Sequence, residues 1–176
     1  MNISQSLLPE FDQEFANTRK LLAVIPEKWD YKPHEKSMAL GRLANHVAEM
    51  PEWARTTVTT ELLDGKDGDY QPVNPKSREE LLAKFDKDVA AARKAIEALN
   101  DDEWQKTWTF KWNGQTIFSM PRTATYRSMV MNHLVHHRAQ LGVYCRLNEV
   151  EIPGMYGPSA DEMKFFQEKQ ESAKAS

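Results

Sequence analysis

The stretch Thr123-Ala-Thr-Tyr126-Arg-Ser-Met-Val130-Met-Asn-His133-Leu-Val-His-His137-Arg-Ala-Gln-Leu141-Gly-Val-Tyr144-Cys-Arg-Leu147 decides how the chain is read. Tyr126, Met129/Val130, His133, His137, Leu141 and Tyr144 recur at intervals of three and four, the repeat of one face of an α-helix. That face must be buried against other elements, and two of its members are imidazoles.

Working outward, three more stripes have the same period. Leu7, Leu8, Phe11, Phe15, Leu22 and Ile25 predict a first helix, with Pro26 as its stop. Leu40, Leu43, Val47, Met50, Ala54, Val58 and Leu62 predict a second. Pro51 lies inside that stripe, so either a kinked helix or two helices in series is expected. Ser77-Arg-Glu-Glu80 is a capping box that opens a third helix along Leu81, Leu82, Phe85, Val89, Ala92, Ile96 and Leu99. Trp29 to His34 and Asp64 to Lys76 read as loops.

The period changes once. Trp108, Phe110 and Trp112 alternate with Thr107, Thr109 and Lys111 and run into Asn113-Gly114, the signal of a two-residue hairpin. Thr116 to Met120 is the returning strand, and Pro121 ends it. Beyond the fourth helix, Ile152 to Pro158 turns repeatedly, and Ser159-Ala-Asp-Glu162 is a second capping box. The expected fold is all-α: an antiparallel four-helix bundle with a small β-hairpin insertion before helix four and a short C-terminal helix. It forms one domain over residues 1–168, followed by a polar tail at 169–176.

Composition narrows the function classes. The 176 residues carry 23 Lys+Arg against 26 Asp+Glu, a formal net charge of −3. With a pI near 6.0 there is no global positive field for nucleic-acid phosphates or anionic lipid. Mean hydropathy is −0.68, and no apolar run approaches the roughly 20 residues of a membrane span. The opening ten residues lack a basic region followed by a long apolar one, so no signal peptide is expected. A lone cysteine, Cys145, excludes an intrachain disulfide and fits a cytoplasmic protein. Trp104, Trp108 and Trp112 read as packing residues, because no basic patch is interleaved with them for base stacking.

The five histidines carry the chemistry. Residues four apart on a helix share a face, so His133 and His137 present two imidazoles to one point. His46 lies three residues after Leu43 and four before Met50, on the inward stripe of the second helix. Buried imidazoles need partners for their ring nitrogens. Hydrogen-bonded core histidines would meet that need, and so would a shared divalent ion. Three protein ligands around an ion leave a position open for water or substrate. His136, turned by about 100° from His137, is expected at the surface. Glu49 and Asp161 are candidates to accept the outer N–H of a ligand histidine. Arg138 reads as part of a solvated helix face in preference to a binder of a substrate carboxylate. Cys145 reads as a small core residue in preference to a nucleophile.

The chain resembles the DinB-like (YfiT-like) metal-dependent proteins from about Leu7 to Glu162. The resemblance is carried by Leu-Ala-Asn-His46-Val-Ala-Glu, by Asn-His133-Leu-Val-His-His137-Arg-Ala-Gln-Leu and by Tyr156-Gly-Pro-Ser-Ala-Asp-Glu162. It implies a four-helix bundle, often a homodimer, with one divalent ion held through positions that match His46, His133 and His137. It further implies, for some relatives, transferase or isomerase chemistry with a low-molecular-weight thiol. Three imidazoles suit Zn or Ni first, with Fe or Cu as alternatives. The expected function is that of a metal-dependent enzyme, a thiol-dependent transferase or a hydrolase, activating a thiol or water against a small-molecule substrate. The rival reading is a non-catalytic, structural or stress-related metal-binding dimer.

Overall fold

A computed structural model of the chain describes residues 2–69 and 74–164. Helix α1, Ile3–Leu22, starts at Asn2, whose side chain accepts from the Gln5 amide while Gln5 reaches back to the Asn2 N–H. This capping box satisfies two of the amides a helix start leaves unpaired. Helix α2, Leu40–Thr59, runs through Pro51 as one element. Helix α3, Arg78–Ala98, begins where Ser77 accepts from the Glu80 amide at 3.1 Å, as its capping sequence predicts. Phe11, Phe15, Leu43, Val47, Met50, Phe85 and Ile96 are buried in one core where α1 and α2 pack on α3.

Where α2 ends, the structure departs from an all-α bundle. Thr60 is extended at φ −124°, ψ 167°, and its hydroxyl accepts from the Trp108 indole at 3.1 Å. The chain is thereby turned into a strand, β1, Leu62–Gly65. After α3 comes a short helix, α4, Asp101–Gln105, which buries Trp104 against Tyr126 at a ring separation of 5.6 Å. Strands β2, Thr107–Trp112, and β3, Gln115–Pro121, form the hairpin that Asn113-Gly114 signals, with positive φ of 49° and 76° at the two turn residues. The sheet order is β1-β2-β3, with β1 parallel to β2 and β2 antiparallel to β3. Leu62, read as the helix end, and Asp64 and Gly65, read as loop, therefore belong with Leu63 to a three-stranded mixed sheet.

The last long rod comprises α5, Arg122–Thr125, a π-helical stretch, Tyr126–Met131, and α6, Asn132–Leu147. The buried residues of α6 are Leu134, His137, Arg138, Leu141, Tyr144 and Cys145, with His133 half-buried beside His46 of α2.

The expectation of an all-α four-helix bundle with a lone hairpin is thus corrected. The chain is mostly helical, with helices α1 to α6, a π stretch and a mixed three-stranded sheet. Long stripes register only long helices, whereas α4 and β1 are five and four residues long and too short to show a period. Residues 160–164 make the helical turn predicted after Ser159, and Ser159 and Glu162 cap each other reciprocally. The remainder of that helix and the tail at 169–176 lie outside the described residues. Among the described residues no helix is long and apolar enough to cross a membrane.

Candidate metal centre

His46 sits on α2, and His133 and His137 sit one turn apart on α6, which packs against α2. One ring nitrogen from each of the three lies within 4.8 Å of the others. His46 Nε2 and His133 Nε2 are 3.2 Å apart, and the ring centroids are separated by 4.6 to 5.0 Å. Nitrogens bound about 2.0–2.1 Å from one tetrahedral ion would stand roughly 3.3 Å apart. The His46–His133 separation fits that figure. Among the described residues no other group of three or more His, Cys, Asp or Glu side chains converges this way.

Two of the three outer nitrogens are engaged. His137 Nδ1 lies 2.7 Å from Gln140 Oε1. An amide oxygen only accepts, so the imidazole donates there and keeps a lone pair on Nε2. The His133 ring hydrogen-bonds the Met129 backbone carbonyl, which fixes its N–H in the same way. Orientation of this kind through the far nitrogen is what ligand imidazoles generally have. Gln140 is missed by the sequence reading, although its position three residues after His137 puts it on the same face. The carbonyl of Met129 has no sequence signal.

All three imidazoles are held neutral. Burial is the main cause, lowering His46 to about 4 with help from His137, His133 and Arg42. Burial also lowers His133 and His137, against the opposing hydrogen bonds to Met129 and Gln140. Near neutral pH the cluster offers lone pairs, which is the form a cation binds.

Glu49 accepts from Asn45 Nδ2 at 2.6 Å. Asp161 is committed to Arg146 and to the Ile152 amide, which together hold its carboxyl down at about 2. His136 is exposed, as its phase predicts. Arg138 is buried, not solvated: it is 3% exposed and pairs with Glu14 and the Tyr156 hydroxyl. It lies four residues after Leu134 and three before Leu141, on the buried side of α6. Cys145 is buried, and burial pushes its thiol up to about 11, so it holds almost no thiolate near neutrality.

Two clefts flank the triad. His46 borders one of about 380 Å³ that runs between α2 and the sheet. His137 and Gln140 border another of about 430 Å³, and Met38 lines both. The Tyr144 hydroxyl donates to the Met38 carbonyl at 3.0 Å and holds that divider in place.

With this geometry established, similarity to known proteins is informative. The sequence profile of the DinB family matches residues 1–172. The chain belongs to the DinB family. Two solved DinB-like proteins share its fold. One, from Bacillus cereus, is 22% identical with a TM-score of 0.67, covering 88% of this chain and 98% of that one. The other, YjoA from Bacillus subtilis, is 17% identical with a TM-score of 0.62, covering 85% and 97%. No curated protein matches this DinB-family chain.

Proposed function

We propose that this DinB-family chain binds one divalent metal ion through His46, His133 and His137 and acts as a metal-dependent enzyme on a small molecule. The observation that carries the reading is the convergence of three neutral imidazoles, two of them oriented through their outer nitrogens. A bound ion would supply Lewis acidity, lowering the pKa of a water or of a small-molecule thiol. His137 and Gln140 border a cleft on one side and His46 on the other, so reactants can reach the cluster. Cys145 is too deeply buried and too basic to serve as nucleophile, which favours a nucleophile from solution, thiol or water. The reading comprises a thiol-dependent transferase or a hydrolase, with zinc or nickel as the ion and a cytoplasmic setting.

The experiment is a screen of zinc- and nickel-loaded protein against thiol-conjugation, ester and amide substrates, with His133→Ala beside it. Turnover that disappears in the variant supports an enzyme. Equal turnover in both contradicts it.

A second reading, a structural metal-binding homodimer, is supported by the apolar outer face of α6. Val143 and Leu147 there are 57% and 53% exposed. Sedimentation of the wild type beside Val143→Lys tests the dimer, while the substrate screen above decides whether the ion does chemistry. A dimer broken by the substitution supports association through α6, and a monomer in both contradicts it.

A further inference from the structure

The cleft beside His46 has a composition that the metal cluster does not require. Its α2 wall carries Arg42, His46 and Trp53, which recur at helical spacing along one face. The opposite wall is one face of the sheet. Leu63 pairs with Phe110 and Gly65 with Trp112, and residues paired across strands point the same way.

Trp112 is 37% exposed, yet it is fixed. Its indole packs against Gly65, where an added Cβ would come within 2.6 Å of the ring. Its Nε1–H donates to Asp67 at 2.9 Å. Phe110 stands between Trp112 and Trp53, with centroids at 6.4 and 6.5 Å. A large side chain held rigid without being buried gains little for the fold and much for a ligand that stacks on it.

The charge in this cleft is equally specific. Asp64 and Asp69 border it, but their carboxylates accept from the Gly114 and Lys66 amides. Arg42 is exposed and has no ion-pair or hydrogen-bond partner among the described residues. It lies one helical turn before His46. A guanidinium with no partner among the described residues, in a cleft with three aromatic side chains, is complementary to a flat ring bearing a carboxylate. A volume near 380 Å³ suits one small molecule.

We infer that this cleft is the substrate subsite, taking a small aromatic carboxylate whose ring lies among Trp53, Phe110 and Trp112 and whose carboxylate pairs with Arg42. Its description as a substrate site rests on the enzymatic reading of the triad; the ligand class rests on the cleft alone.

The test is calorimetric titration of 2-naphthoate and of the uncharged 2-naphthalenemethanol, with metal content measured on each sample. Wild type is expected to bind the carboxylate more tightly. Arg42→Met should weaken 2-naphthoate about tenfold or more, as loss of a charge-assisted contact does, and leave the alcohol unchanged. Trp112→Ala should weaken both by about three- to tenfold, the scale of an aromatic contact. Arg42 is exposed, so its variant remains informative if Trp112→Ala is poorly folded. Equal affinity for the two probes, or affinities that Arg42→Met leaves unchanged, overturns the inference. Metal content separates this claim from the preceding one. Arg42-dependent binding in a chain that takes up no metal overturns the metal reading and supports the cleft. One ion per chain without Arg42-dependent binding overturns the cleft alone.

Discussion

His46 Nε2 and His133 Nε2 stand 3.2 Å apart although 87 residues separate them in the chain. Two neutral imidazoles at that distance share either one proton or one cation. The third imidazole, His137, and the fixed outer N–H groups of His133 and His137 favour the cation.

Metal should stabilise the fold. An ion at about one hundred times its dissociation constant adds about 2.7 kcal/mol to a protein that binds it only when native. For a chain of this length that is a rise in Tm of roughly 5–10 °C. Thermal unfolding with added zinc should show the rise in wild type and none in His133→Ala.

The metal-free protein should lose stability on mild acidification. The unfolded His46 titrates near 6.5 and the native one near 4, because burial disfavours its charged form. Between those values the unfolded chain binds more protons, so stability falls as pH drops through this window and is intact above it. Unfolding curves in chelator from pH 7.5 to 4 should show that decline, flattened in His46→Gln.

Gln140 should tune the site without building it. Gln140→Leu removes the acceptor that orients His137, and losses of such outer partners weaken metal affinity about 10- to 100-fold. Competition with a chromophoric chelator measures this, with Tm unchanged in the absence of metal.

Arg138 should matter for stability. It is 3% exposed and paired with Glu14, itself 8% exposed, so Arg138→Met strands a buried carboxylate. Breaking such a pair costs about 3–5 kcal/mol. Chemical denaturation should show that loss, partly recovered in the double variant with Glu14→Leu.

Much of this architecture is written in periodicity. The stripes through Phe11 and Phe15, Leu43 and Val47, and Phe85 and Ile96 specify α1, α2 and α3, and Asn113-Gly114 specifies the hairpin. His46, His133 and His137 were legible as a group because each falls on an inward stripe. Strand β1 was not, since its order comes from pairing with β2 some 47 positions away and not from its own four residues. Arg138 was misread because its charge suggested solvent, although it lies four residues after Leu134 and three before Leu141 on the buried side of α6, where Glu14 pairs with it. The aromatic cleft at His46 escaped for the same reason as β1. Trp53, Phe110 and Trp112 meet only once the sheet has folded back along α2.

The most direct measurement is the metal content of the protein purified without an affinity tag, by plasma mass spectrometry, beside His137→Ala. The expected result is about one divalent ion per wild-type chain and a loss of that ion in the variant. Wild-type protein that carries no metal and takes none up on incubation with zinc or nickel would contradict a metal centre and return the three histidines to the core.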